Sequence, residues 1–100
     1  MDHVVLAERM KTEIIEDVES GIVPESVSSF SELHNYVDAN LYGGTEALLE
    51  EIDARVPDTD EGHKRAIDEL CELANPAMDI VDSWLKTGGL TAAIAAKRCR

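Results

Sequence analysis

Three histidines, two cysteines and twenty-one carboxylates are the side chains of this chain best able to do chemistry. His3, His34 and His63 fall on separate stretches with no HExxH or paired spacing, so a zinc centre would have to gather ligands from three helices. Asp58-Thr59-Asp60-Glu61-Gly62 invites comparison with a calcium loop, and Glu69 falls at the twelfth place from Asp58. The glycine is one place early, however, His63 stands where it should be, and Lys64 and Arg65 add positive charge. Acids clustered at a helix start to complement its dipole explain the segment without a metal. Cys71 is expected on the buried face of a helix, where a thiol is inert, and Cys99 is a tail thiol. Gly43-Gly44 and Gly88-Gly89 follow no strand and lack the lysine of a phosphate loop. The many acids allow so many carboxylate pairs that no one pair is diagnostic. The residues therefore point to a non-enzymatic protein with no metal or cofactor.

The elements that would position these groups are helical. Leu6, Met10, Ile14 and Val18 recur every four residues, widened by Ala7 and Ile15, which predicts a helix from about Val4 to Ser20 with Gly21 just past its end. Ser29 and Glu32 form a capping box before Phe30, Leu33, Tyr36, Val37 and Leu41, a second helix over Phe30 to Leu41. Thr45 would cap a third helix carrying Ala47, Leu48, Leu49, Ile52 and Val56. Asp58-Thr59-Asp60 would cap a fourth with Ala66, Ile67, Leu70, Cys71, Leu73 and Ala74 on its apolar face. Asn75-Pro76 reads as a restart, with Asn75 as N-cap and Pro76 in the first turn of a fifth helix holding Ala77, Ile80, Val81, Trp84 and Leu85. Trp84 is expected in the core. Leu90 to Arg100 is a short sixth helix ending in Lys97, Arg98 and Arg100, cations that suit a helix C-terminus. With no period-two alternation, the expected fold is all-α, a compact bundle of five or six short helices in one domain over residues 1–100.

Charge is distributed unevenly. The net charge is −12, which argues against nucleic acid or an anionic membrane as a direct partner. No apolar run is long enough for a membrane span and the start lacks the pattern of an export signal, so a cytoplasmic setting with reduced thiols is expected. Met10-Lys11 would also serve as a start, making residues 1–9 an optional extension. Between Lys11 and Arg55 no lysine or arginine occurs, while Glu13, Glu16, Asp17, Glu19, Glu25, Glu32, Asp38, Glu46, Glu50, Glu51 and Asp53 are all acidic. Like charges four apart on a helix, as in Glu13 with Asp17 and Glu46 with Glu50, each cost about 0.2–0.5 kcal/mol. Such repulsion is tolerable if a basic partner covers it, with Tyr36, Tyr42 and Leu41 as adjacent anchors. The candidate partner-binding set is Glu13, Glu16, Asp17, Glu19, Glu32, Tyr36, Asp38, Tyr42, Glu46, Glu50 and Asp53. As a DNA mimic one helix is a sparse copy, with carboxylates about 5.4 Å apart on successive turns against a phosphate every ~3.4 Å along a strand. Two helices side by side would come closer.

The segment Ser29-Phe30-Ser31-Glu32-Leu33-His34-Asn35-Tyr36-Val37-Asp38-Ala39-Asn40-Leu41-Tyr42-Gly43-Gly44 resembles small proteins encoded on bacterial phages, prophages and plasmids. With its length, acidity and helical pattern, the chain as a whole is similar to anti-CRISPR inhibitors of the kind acting on type I-F systems. That resemblance implies a bacterial host cytoplasm and an inhibitor that binds a CRISPR surveillance complex, a basic ribonucleoprotein assembly, where target DNA would enter. It transfers no residue roles. The alternative is a small structural or regulatory helical module, as a monomer or a homodimer, whose acidic face stays in water.

Overall fold

A computed structural model of the chain describes residues 2–99. Five α-helices and a short 3-10 segment follow one another: α1 (His3–Glu19), α2 (Phe30–Leu33), the 3-10 segment (Ala39–Gly44), α3 (Thr45–Asp53), α4 (Asp60–Lys86) and α5 (Gly89–Arg98). Among the described residues there is no strand, and the all-α expectation holds.

The core assembles around α1. Leu6, Ala7, Met10 and Ile14 are wholly buried, and they cluster with Ala77, Val81 and Leu85 of α4, Leu90 and Ile94 of α5, Leu33 of α2, Ala39 and Tyr42 of the 3-10 segment, and Val23 and Val27 from the connector after α1. Trp84 packs against this core half-buried, with the Lys11 ammonium 5.6 Å from its ring centroid, a cation–π contact. The molecule measures 50 × 24 × 21 Å with a radius of gyration of 15.0 Å, above the ~13 Å typical of a compact domain of this length. Its long axis reflects α4, which at 1.5 Å per residue is about 40 Å long. The C-terminal half of α4 lies in the core. Its N-terminal half forms a two-helix hairpin with α3, where Ile52 and Ala66 are buried outside the main cluster.

The local signals for helix ends are largely realised. Ser29 Oγ accepts from the Glu32 N–H at 3.0 Å, and the Glu32 carboxylate accepts in return from Ser28 N–H and Oγ–H. Thr59 Oγ1 accepts from the Gly62 N–H at 3.0 Å and caps α4. Gly62 permits a close approach, because a Cβ there would land on the Pro57 carbonyl oxygen. Gly21 takes φ 79° just past α1. Arg100, the last of the cations expected at the final helix end, lies outside the described residues; Lys97 and Arg98 are in the last turn of α5.

Four expectations need correction. Asn75-Pro76 does not separate two helices: α4 runs unbroken through Pro76, because Ala66, Ala74, Ala77, Val81 and Leu85 share one stripe that stays buried on both sides of the proline. The second helix ends at Leu33 instead of Leu41; the Asp38 side chain accepts from the Asn40 N–H and starts the 3-10 segment, so Ala39 and Tyr42 turn inward while Leu41 and Tyr36 face solvent. Thr45 is not the cap of α3. Gly44, left-handed at φ 70°, holds that position, and the Thr45 hydroxyl donates to the Asn40 carbonyl at 2.6 Å. Cys71 is exposed instead of buried, as is Ile67 at 51%, because α3 covers a different edge of α4 in this region.

Candidate functional site

The acidic residues divide into those the fold uses and those it leaves in water. On α1 the pair that spacing marks as repulsive anchors the loop beneath it: Glu13 Oε2 accepts the Gly43 N–H at 2.7 Å and Asp17 Oδ2 accepts the Tyr42 hydroxyl at 2.5 Å. Tyr42 is 7% exposed, which removes it from the accessible anchors, and burial followed by its bond to Asp17 raises its pKa well above the ordinary phenol value. Glu19 pairs with Lys97, and Glu25 with Arg98 at 2.8 Å, so both cations of the α5 end reach back to the acidic half of the chain. Glu32 and Asp38 accept from nearby backbone and hydroxyl groups at segment starts. Asp53 binds His63.

Seven of the eleven acids between Lys11 and Arg55 therefore have intramolecular partners: Glu13, Asp17, Glu19, Glu25, Glu32, Asp38 and Asp53. Glu16, Glu46, Glu50 and Glu51 make no side-chain hydrogen bond or ion pair with another described residue, and all four are exposed. Three of these four belong to α3. Positions 46, 49, 50 and 53 form one i, i+3, i+4, i+7 stripe of α3, placing Glu46 and Glu50 beside Leu49 and Asp53. Of the proposed aromatic anchors, Tyr36 is 49% exposed and sits in the turn between α2 and the 3-10 segment. Among the described residues no cluster of three or more histidine, cysteine, aspartate or glutamate side chains has metal-binding geometry. The segment compared with a calcium loop forms the capped start of α4, with Asp58 turned to His63.

His63 is the residue whose role spacing did not reveal. Its Nδ1 lies 2.6 Å from Asp53 Oδ1 at the end of α3, and its Nε2 lies 2.9 Å from Asp58 Oδ1 in the connector. Two carboxylates can only accept, so both ring nitrogens must carry hydrogen for both bonds to form, which selects the imidazolium. Donation to Asp53, then to Asp58, raises the His63 pKa above its ordinary value near 6.5. A raised folded-state pKa means that the folded chain holds the proton more tightly than the unfolded chain. The stabilisation is fully present below about pH 6.5 and is lost as pH rises through the higher folded value. Thermal unfolding followed at stepped pH should show the midpoint falling across that window in the native chain, with a shallower fall in His63→Gln; parallel profiles would show that the His63 bonds to Asp53 and Asp58 do not stabilise the fold. Asp53 should matter more than Asp58, since Asp58 is 99% exposed and its contact is screened by water.

Two shallow depressions flank the α3–α4 hairpin. One, of about 430 Å³, is lined by Leu48, Glu51, Ile52, Arg55, Glu69 and Leu73. The other, of about 160 Å³, is lined by Leu49, Asp53, His63 and Ile67. Among the described residues no helix is long and apolar enough to cross a membrane. Compared with family models, with curated proteins and with solved structures, the chain finds no match.

Proposed function

We propose that this chain is a non-enzymatic acidic binding protein that docks on a basic surface of a nucleic-acid-handling protein complex through the outer face of α3. The observation that carries this reading is the unpaired state, among the described residues, of Glu46, Glu50 and Glu51 on a single nine-residue helix. Glu46 and Glu50 repel one another at i, i+4 without a cation among the described residues to relieve them. A basic partner would relieve that repulsion and be steered toward the face by the net charge of −12. The resemblance of Ser29 to Gly44 to proteins of mobile elements supports a CRISPR surveillance complex as the partner and inhibition of DNA entry as the outcome.

The decisive variant is Glu46→Lys with Glu50→Lys, measured against a purified type I-F surveillance complex. Binding of the native chain should weaken as salt is raised, since the screening length is already about 8 Å at physiological ionic strength. The double reversal should weaken it at least tenfold with the unfolding midpoint unchanged. Affinity that survives the reversal ends the electrostatic account. Glu13 and Asp17 are unsuitable for this test because they hold the Tyr42–Gly43 loop, and reversing them would damage the fold.

The second reading, a small regulatory module whose acids stay in water, is favoured by the seven acids with partners inside the fold, which give most of the charge asymmetry a structural use. Sedimentation at low and high salt separates the two: a salt-insensitive dimer with no affinity for a basic complex supports the module.

A further inference from the structure

We propose that the flank of the α3–α4 hairpin holding Ile67 is a docking groove for a cationic amphipathic helical segment of a partner protein. This rests on the acidic-binder reading and specifies what lies against α3. Ile67 is a large aliphatic side chain, 51% exposed, while the other large aliphatic side chains of α4 are buried or partly buried and Cys71, one turn on, is exposed beside it. Beside it the depression lined by Leu49, Asp53, His63 and Ile67 has a volume of about 160 Å³, space for about one aliphatic side chain.

Charge identifies the occupant. The α3 rim of the groove carries Glu46 and Glu50, both without a partner among the described residues, one turn apart and in the same stripe as Leu49. The charges nearest the floor are already engaged, since His63 holds Asp53 and Asp58. The α4 rim carries Lys64, one turn before Ile67, which places an incoming cation over α3 instead. An aliphatic side chain of the occupant would fill the depression while lysine or arginine residues one turn away meet Glu46 and Glu50, the geometry of a helix laid in a groove. A second copy of this chain fits poorly, because it would bring another −12 to an acidic rim. The opposite depression is less suited to a cation, since Arg55 stands among its glutamates.

The test uses the full chain and two labelled synthetic peptides of equal length and charge: one a lysine helix with leucine along a single face, the other oligolysine with neutral polar residues in place of leucine. Anisotropy titration should give at least tenfold tighter binding of the leucine-faced peptide. Ile67→Ser should erase that advantage and leave oligolysine binding as it was. Ile67 is half in water, so the variant should keep its helix content and melting midpoint. In the native chain, amide shift changes on titration should centre on residues 46–53 and 63–71. Equal affinity for the two peptides, shifts elsewhere, or a discrimination that persists in Ile67→Ser overturns the groove. A salt-stable dimer dispersed by Ile67→Ser overturns it too, in favour of a second copy. Failure of the parent reading has a different signature: Glu46→Lys with Glu50→Lys would then leave both peptides bound as tightly as before.

Discussion

Gly43→Ala should lower the unfolding free energy by about 3 kcal/mol. Two penalties combine at this position. Its φ of 79° is left-handed, where a Cβ costs roughly 1–2 kcal/mol. A Cβ would also lie 2.5 Å from Leu6 Cδ1 and 3.1 Å from Met10 Cγ, both on wholly buried side chains, and forcing carbon into a filled core costs about 1–3 kcal/mol. Gly44 is the internal control. It has nearly the same backbone angle, φ 70°, but a Cβ there meets nothing within 4 Å, so Gly44→Ala should lose only the backbone part, roughly 1–2 kcal/mol. Denaturant unfolding of the two variants side by side measures the packing contribution by difference. Equal losses would show that the 3-10 segment is not seated on α1 as described.

The same loop shows why the acidic stretch was only partly legible. Helix α1 announces itself, because an apolar stripe every four residues followed by glycine needs no distant information. The caps at Ser29 and Thr59 are equally local. The partner of Asp17 is Tyr42 and the partner of Glu19 is Lys97, contacts that join residues far apart in the chain and leave no trace in spacing. An acid read by itself looks like free surface charge, so the sequence suggests a wider uncovered acidic face than the structure has. Glu46 and Glu50 survive that sorting as carboxylates without a partner among the described residues. Tyr42 does not survive as a surface anchor, since Asp38 ends the turn after α2 and brings it inward.

Periodicity has a further limit on α4. It marks Ile67 and Cys71 as members of an apolar face, but it cannot say how far a neighbouring helix reaches across that face. α3 is nine residues long and joins α4 as one layer of a hairpin, so the edge bearing Ile67 and Cys71 remains in water. His63 escaped notice for the complementary reason. Its two acceptors stand ten and five residues earlier, and only the reversal of the chain between α3 and α4 brings them to opposite sides of one ring.

Pro76→Ala should stabilise the protein by about 1–2 kcal/mol. A proline in a helix interior is roughly 3 kcal/mol less favourable than alanine, because its ring crowds the carbonyl four residues back and it offers no N–H to that acceptor. Here the acceptor is the carbonyl of Glu72, an exposed residue, so water can satisfy it and the helix continues at a cost. Part of the gain is offset: alanine frees the unfolded chain by about 0.4–1 kcal/mol, and the half-buried ring gives up its contacts. The restart that Asn75-Pro76 suggests makes the opposite prediction. If Asn75 capped a separate helix, Asn75→Ala would cost about 1 kcal/mol and Pro76→Ala would gain nothing. In an unbroken α4 the exposed Asn75 is a mid-helix residue, and Asn75→Ala should gain a few tenths of a kcal/mol from helix propensity. Both substitutions lie beyond the α3–α4 hairpin, so affinity for a basic partner should stay unchanged while the melting midpoint rises. A fall in that midpoint with either alanine would mean that α4 is broken at this point and that the hairpin is attached to the core by a joint.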